Sequence, residues 1–311
     1  MKRNISISFA LTVLLLVSLF AYYAAAAPKF SEWAAPVNLG PVVNSAYVDN
    51  GPAISKDGLS LYFTSTRPGG FGDQDIWVSQ RARLGDPWGP PTNLGATINT
   101  SFIDGIPAFS RDEHWMFFNS TRPGGFGDVD IWASWRAQTH DDFGWQPPVN
   151  LGAGVNTASF DAGASFFENE EGGAPLLFFG SNRPGGSGDN DIYVSELTAG
   201  GTFGPATRVP ELSSSASDQR PVIRFDGLEI FLFSSRSGGF GGNDLWTSTR
   251  ATIFDPWSTP VNLGNVINTS FNETQAYLAS DRRTLFFVSN RPGGYGLGDL
   301  YVTTRERVGG Q

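Results

Sequence analysis

The chain of 311 residues contains no cysteine, only two histidines and few charged residues. Without cysteine no disulfide bond can form, so a sizeable packed core has to hold the fold. His114 and His140 stand in no metal-like spacing with other ligand residues, which argues against a zinc site or a histidine-based triad. Charged residues make up 16% of the chain against roughly 25% in an average domain, and the net charge is −9. An acidic chain with only three lysines lacks the basic face of a nucleic-acid-binding protein.

Glycine, proline and phenylalanine are abundant, with 38, 20 and 25 copies. Aromatic residues favour strands, whereas glycine and proline favour tight turns. The composition therefore indicates short strands and turns rather than long helices.

The first 26 residues have the pattern of a signal peptide. Lys2 and Arg3 precede an apolar run from Ile5 to Ala21, and residues 24–26 offer an Ala-x-Ala cleavage site. We therefore expect an exported protein, periplasmic or extracellular, whose mature chain begins near Ala27. The alternative is an uncleaved anchor, because the apolar run is nearly long enough to span a bilayer. In that case only the N-terminal segment would contact a membrane.

One unit of about 55 residues recurs five times. Its clearest mark is a glycine-rich stretch, STRPGGFGD in Ser65–Asp73, which is repeated letter for letter in Ser120–Asp128. The arginine of this stretch recurs at Arg67, Arg122, Arg183, Arg236 and Arg291. An aspartate follows each arginine eight residues later, at Asp75, Asp130, Asp191, Asp244 and Asp299.

Two further blocks recur in register with the first. One combines a tryptophan with Asn-Leu-Gly, as in Trp88 and Asn93–Gly95, and has a degenerate copy around Pro210. The other places an acidic residue before each apolar strand, at Asp49, Asp104, Asp161, Asp218 and Glu273.

Each unit is predicted to form four short antiparallel strands, which is typical of a β-propeller blade. In the first unit we expect strands at residues 51–55, 59–66, 75–80 and 88–94. A first Trp…Asn-Leu-Gly block, Trp33–Gly40, precedes the first full unit, and the last unit stops after its third strand. We therefore predict an all-β, five-bladed propeller in residues 27–311, a single domain closed by the N-terminal strand, and a monomer.

The repeat resembles the WD-like β-propeller repeats of TolB-type propellers. The resemblance rests on the pattern Asp-Gly-x-x-Leu-Tyr-Phe-x-Ser-x-Arg-Pro-Gly-Gly-x-Gly-x-x-Asp-Ile-Trp and covers about residues 30–306. It implies an exported envelope or secreted protein that binds a partner. It implies no particular activity, because propellers include binders, scaffolds and enzymes.

The glycine-rich stretch is interpreted as a hairpin turn and not as a phosphate loop. A phosphate loop needs a following helix, whereas here a strand with Ile76 and Trp77 follows. The arginine and the aspartate eight residues later are expected to pair across the turn. Calcium binding by Asp73 and Asp75 is a weak alternative, since two carboxylates fall short of a usual calcium site. No cofactor or metal is expected.

The five acids before the inner strands have two interpretations. They could form a carboxylate cluster at the mouth of the central channel that binds a cation or acts in glycoside hydrolysis. Alternatively, each acid accepts hydrogen bonds from backbone amides of its own blade. Repetition favours the second interpretation, because catalysis needs an asymmetric pair of acid and base.

The remaining candidates for ligand binding lie where the repeats differ or project. Arg220 and Gln275 replace small or apolar residues near the channel, and Arg220 either grips a ligand or neutralises the ring of acids. The loop tips carry Phe71, Phe126, Phe240 and Tyr295, which either bind a partner or pack on the neighbouring blade. We therefore predict a non-enzymatic module that binds a carbohydrate, protein or peptide on this face. The alternative is a secreted glycoside hydrolase or lyase with its carboxylates at the channel mouth.

Overall fold

The computed structural model describes residues 29–170 and 172–308. Their secondary structure consists of 22 strands joined by turns, and the described part of the chain has no helix suited to cross a membrane. The predicted signal peptide lies outside the described residues. The all-β class is confirmed.

Five four-stranded antiparallel sheets form the five blades. Blade 1 consists of β3 (Asp49–Ile54), β4 (Ser60–Ser65), β5 (Asp75–Gln80) and β6 (Thr92–Asn93). Blade 2 consists of β7 (Asp104–Phe109), β8 (Trp115–Ser120), β9 (Asp130–Trp135) and β10 (Val149–Asn150). Blade 3 consists of β11 (Asp161–Phe167), β12 (Leu176–Ser181), β13 (Asp191–Glu196) and β14 (Thr207–Arg208). Blade 4 consists of β15 (Asp218–Ile223), β16 (Glu229–Ser234), β17 (Asp244–Thr249) and β18 (Val261–Asn262). Blade 5 consists of β19 (Glu273–Leu278), β20 (Thr284–Ser289), β21 (Asp299–Thr304) and β2 (Val37–Asn38).

The outer strand of blade 5 comes from the start of the chain. In β2, Val37 pairs with Val302 and Asn38 pairs with Tyr301 of β21. This pairing closes the ring as the repeat pattern predicts, and the five-bladed propeller is confirmed.

A separate small unit comprises the described residues before Trp33 and after Thr304. In it, β1 (Lys29–Phe30) pairs antiparallel with β22 (Arg307–Val308). The Arg305 guanidinium lies 3.9 Å from the centre of the Phe30 ring.

The hydrophobic core lies in the seams between blades. Leu61 and Phe63 pack with Phe286 and Leu300 of blade 5, whereas Tyr62 between them packs with blade 2. Successive side chains of a strand point to opposite faces, so each central strand contributes to two seams. Every seam of the ring contains one such apolar cluster.

The outer strands are shorter than predicted. In blade 1 the strand covers Thr92–Asn93 only, whereas the sequence pattern suggested residues 88–94. Pro90 and Pro91 have no amide hydrogen and cannot donate to a ladder. The other strands of this blade agree with the prediction to within two residues.

Each inner strand carries a bulge at its third residue. The strand register shifts there in all five blades. The bulged residue has φ between 45° and 70° in every blade: Gly51, Ile106, Gly163, Arg220 and Gln275. Only glycine adopts this conformation without strain, so Ile106, Arg220 and Gln275 are held there by their surroundings.

Candidate binding face

The five acids of the inner strands are fully buried, and each forms an ion pair with the arginine of its own glycine-rich loop. The nitrogen–oxygen distance is 2.6 Å for Arg67 and Asp49, and the same pair recurs in the other blades. Asp49 also accepts hydrogen bonds from the Ser45 amide at 2.5 Å and the Ser65 hydroxyl at 2.6 Å. The expected capping of backbone amides is therefore present, and the carboxylates point into their blades.

In four of the five blades the guanidinium of the loop arginine also lies between two aromatic rings, whereas Arg236 of blade 4 lies, among the described residues, over Trp246 only. Arg67 lies 5.0 Å from the ring centre of Phe63 and 5.6 Å from that of Trp77. It donates to the Val43 carbonyl at 2.5 Å as well. The arginine therefore fixes the base of the loop to the acid, the core and the preceding turn at once.

The predicted pairing of this arginine with the aspartate eight residues later is wrong. Asp75 instead accepts hydrogen bonds from the Phe71 and Gly72 amides and from the Asn93 side chain. Burial raises the pKa of Asp75, and these hydrogen bonds oppose that rise. The carboxylate of Asp75 stabilises the folded conformation of the loop, because the loop amides need a nearby hydrogen-bond acceptor.

No group of three or more metal-binding side chains occurs among the described residues. Asp73, the other residue of the weak calcium alternative, is exposed at the loop tip. The Asp75 carboxylate faces the loop amides that it binds.

Each glycine-rich loop also rests on the next blade. A Cβ added at Gly72 would lie 2.1 Å from the Phe102 carbonyl oxygen and 2.6 Å from that of Thr100. The equivalent glycines of the other loops, Gly127, Gly188, Gly241 and Gly296, are equally close to the backbone of the following blade. In four of the five loops the residue one position earlier is aromatic and is thereby held at the surface.

The loop tips and the adjoining turns carry seven exposed aromatic side chains. The four predicted tip residues, Phe71, Phe126, Phe240 and Tyr295, are 49–51% exposed. Three more, 39–45% exposed, lie two residues before a ring acid: Tyr47, Phe102 and Phe271. We call these seven residues the aromatic arc. The three additional members have a sequence signal, since their position relative to the acid recurs.

The aromatic arc is interrupted at one seam. Between blades 3 and 4, Ser187 takes the tip position and Ala216 takes the position before the acid. Arg208 replaces the asparagine of the other outer strands and pairs with Asp191 at 3.8 Å and with the Ser187 hydroxyl. The face therefore has an aromatic side and a small polar notch.

Arg220 and Gln275 lie deeper, in the ring of bulged residues. The Arg220 guanidinium donates to the Pro52 carbonyl of blade 1 at 3.0 Å and to Gln275 Oε1 at 3.4 Å. Gln275 Oε1 also accepts from the Gly51 amide at 2.7 Å. Arg220 is only 4% exposed and forms no ion pair with the ring acids. The interpretation that it neutralises them is therefore wrong.

A pocket of about 480 Å³ opens at the end of blades 1 and 2 that is opposite to their glycine-rich loops. It is lined by Ser60, Gln80, Glu113, His140 and Asp142 among others. Asp142 accepts hydrogen bonds from Tyr62 at 2.6 Å and Gln80 at 2.7 Å, so its carboxylate ties the loop of residues 136–145 to blade 1. No repeated pattern marks this pocket in the sequence, because the loop of residues 136–145 is longer by two residues than its equivalents at 81–88 and 250–257.

No family model matches the chain, and no curated protein sequence matches it. Solved structures share its fold at low sequence identity. The α-L-arabinofuranosidase from Lactobacillus brevis is 14% identical with a TM-score of 0.57, over 86% of this chain and 92% of that one. The catalytic domain of the Coprinopsis cinerea GH62 α-L-arabinofuranosidase is 14% identical with a TM-score of 0.58, over 90% and 98%. The putative TolB from Agrobacterium tumefaciens is 16% identical with a TM-score of 0.50, over 84% and 78%. These similarities show a five-bladed propeller fold that occurs in both enzymes and TolB-type proteins.

Proposed function

We propose that this protein is an exported, non-catalytic module that binds a carbohydrate chain on its aromatic arc. The observation that carries the proposal is the arc itself: seven half-exposed rings on one face of a rigid propeller. Exposed aromatic rings offer flat apolar surfaces that stack on sugar rings. Their loops are fixed by buried ion pairs, so little conformational entropy is lost on binding.

The ring acids support the non-catalytic part of the proposal. A general acid or base has to reach the substrate within hydrogen-bonding distance. Asp49, Asp104 and the three equivalent acids are fully buried and bonded to arginine and hydroxyl groups. They have the same role in every blade, whereas glycoside hydrolysis needs two carboxylates in different environments.

The similar structures supply a weaker argument for a carbohydrate. Several are named as arabinofuranosidases, and one of these was solved in complex with cellotriose. Since they are 11–14% identical to this chain, the argument concerns what such a fold can bind and not a shared site.

The test is a binding screen of the mature protein against soluble polysaccharides and oligosaccharides, followed by variants of the arc. Phe71→Ala combined with Phe102→Ala removes both rings of one seam. Since an aromatic contact is worth about 0.5–1.5 kcal/mol, we expect a roughly tenfold loss of affinity. Phe254→Ala is the control. Phe254 is also exposed, but it lies in the loop after β17, at the end of blade 4 opposite to its glycine-rich loop.

Three results would contradict the proposal. If no carbohydrate bound, the ligand class would be wrong. If the double variant bound as tightly as the wild type, the site would be elsewhere. If a polysaccharide were cleaved, with new reducing or unsaturated ends, the glycoside hydrolase or lyase alternative would replace the non-catalytic module.

A further inference from the structure

Arg220 is a buried cation whose described contacts are all with neutral groups. Its guanidinium reaches from blade 4 to the Pro52 carbonyl of blade 1, two blades away around the ring, and so crosses the propeller axis. Its other partner is the neutral amide of Gln275. Among the described residues, no carboxylate oxygen lies within 4.0 Å of its nitrogens.

Nearby charged groups are already engaged with one another. Arg236 takes the ring acid of blade 4, Asp218, in an ion pair. Arg224, the residue directly after β15, is paired with Glu229 at 2.6 Å and Asp226 at 2.7 Å. Burial raises the pKa of Tyr277, and the charge of Glu113 adds to that rise. Arg220 therefore has no carboxylate partner in the part of the chain that the structure describes.

A cavity of about 30 Å³ adjoins Arg220 at the axis. A void of this size holds one or two particles of water size. Besides Arg220, its polar lining residues are Ser165, Tyr277 and Arg224, and its walls include apolar residues such as Ala108 and Ala164. Ser165 Oγ accepts a hydrogen bond from the Ile223 amide at 3.0 Å, which leaves its own proton to donate. A guanidinium and two hydroxyls form a set of donors suited to an anion.

The backbone makes room for Arg220 at some energetic cost. Arg220 has a φ of 45°, a left-handed conformation that a non-glycine residue adopts only under constraint. The first carbons of its side chain pack against Gly163 of blade 3, where an added Cβ would lie 3.1 Å from Arg220 Cβ. A long cationic side chain in such a position indicates a specific use of its charge.

Desolvation supports the same conclusion. Burial lowers the pKa of Arg220 to about 9, so the group is still charged at neutral pH. An isolated buried charge is strongly unfavourable unless an opposite charge or several hydrogen bonds compensate it.

We propose that Arg220, with the Ser165 and Tyr277 hydroxyls, binds a small inorganic anion of halide size in the axial cavity. The site is independent of the aromatic arc, and its function is to neutralise Arg220, which has no carboxylate partner among the described residues. Because the anion binds the native state only, it stabilises the fold in proportion to the logarithm of its concentration.

The first test measures the melting temperature of the mature protein in chloride and in gluconate at equal ionic strength. For a domain of this size we expect a rise of about 3 °C per tenfold increase in chloride above the dissociation constant, and none in gluconate, which is too large for the cavity. Arg220→Met should abolish the chloride dependence. Arg83→Met, which removes an arginine that is 87% exposed, should retain it. Equal slopes in Arg220→Met and the wild type would overturn the proposal.

The second test uses the unmodified protein, so it does not depend on whether Arg220→Met folds. Crystals grown in bromide should show an anomalous peak within about 3.5 Å of the Arg220 guanidinium. The absence of a peak beside Arg220 at saturating bromide, whether or not bromide binds elsewhere, would overturn the proposal. Ser165→Ala adds a milder variant, which should weaken the chloride dependence several-fold and leave carbohydrate binding unchanged.

Discussion

The ring acid of each blade is a residue whose hydrogen-bonding capacity is fully used. Asp104 accepts from the amide and hydroxyl of Thr100, from the Ser120 hydroxyl and from Arg122. A carboxylate has about four lone-pair directions, so these donors saturate it. The residue that looked most catalytic in the sequence therefore joins the inner strand, the second strand and the loop.

We expect Asp104→Asn to lower the free energy of unfolding by about 3–5 kcal/mol. The substitution removes the negative charge and leaves Arg122 beside a neutral group. In addition, the asparagine nitrogen cannot accept a hydrogen bond as the carboxylate oxygen did. Urea denaturation at pH 7 measures the change. Asp128→Asn is the control: it changes an exposed residue of the glycine-rich loop that contains Arg122, and should lower the free energy of unfolding by less than about 0.5 kcal/mol. An unchanged stability in Asp104→Asn would show that the ion pair does not hold the blade.

Glu113 gives the clearest pH dependence. Burial raises its pKa, while the hydrogen bond from the Lys56 amide at 2.7 Å and the charge of Arg136 oppose the rise. A raised pKa means that the folded state binds the proton more tightly than the unfolded state. The resulting stabilisation is complete below the unfolded pKa and is lost as the pH rises through the folded pKa.

The wild type should therefore lose more stability than Glu113→Gln between pH 4 and pH 7. Unfolding free energies of both proteins at these two pH values test this difference. Glu211→Gln serves as the control, because Glu211 is exposed and its removal should leave the pH profile unchanged. Parallel profiles for the wild type and Glu113→Gln would contradict the assigned shift.

Each glycine-rich loop joins the second and third strands of its own blade and packs against the next blade. Its glycines have different roles, which the structure separates. Gly124 has a φ of 95° and turns the chain, whereas Gly127 has no room for a side chain beside the turn at residues 157–159. A loop that has to fit against a neighbouring backbone keeps its length and its glycines for steric reasons.

Gly127→Ala should destabilise the protein by about 2–3 kcal/mol, since its Cβ would lie 2.4 Å from the Thr157 carbonyl. The strain crosses the seam, so amide hydrogen exchange should increase in residues 157–161 of blade 3. Gly152→Ala is the comparison: Gly152 has a φ of 78° but open space around it, and should cost about 1 kcal/mol with a local effect only. If both variants changed exchange only in their own turns, the loop would not seat on the next blade.

The elements that the sequence predicted best are those with a repeated pattern. The strand predicted at residues 59–66 is present as β4, and its two faces pack into two seams. The pairing of the loop arginine could not be predicted, because it depends on Asp49, eighteen residues earlier, and not on the nearer Asp75. Both partners recur in every unit, so the sequence alone does not distinguish them.

For the whole molecule, the repeats predict the closed ring of five blades but not the positions at which a single blade departs from the repeat. The axial position of Arg220 depends on bulges in five strands and on the small residue at Gly163, which no single repeat reveals. The repeat pattern predicts the four loop-tip residues of the aromatic arc but not the other three, Tyr47, Phe102 and Phe271. Features that arise between blades need the closed ring before they can be recognised.

The pairing of β2 with β21, which closes the ring, is supported by the side chain of Asn38. In blade 5, Asn38 donates to Asp299 at 2.9 Å and accepts from the Gly40 amide and the Asn44 side chain. Asn150 makes the same three contacts in blade 2, with Asp130, Gly152 and Asn156. Asparagine-to-alanine variants at the two positions therefore remove equal sets of hydrogen bonds.

The two variants should nevertheless differ in how the propeller opens. The chain runs from β9 directly into β10 of the same blade, whereas β2 pairs with β21 from the other end of the ring, and Asn38 and Asp299 are 261 residues apart in sequence. Loss of the Asn38 contacts lowers the free energy of a partial opening in which β2 leaves β21 and the rest of the ring stays folded. Native-state hydrogen exchange should therefore show faster exchange throughout β21 in Asn38→Ala, and a smaller change in β9 in Asn150→Ala. Equal changes in the two strands would mean that the seam is no weaker than an internal blade, and that the ring unfolds as one cooperative unit.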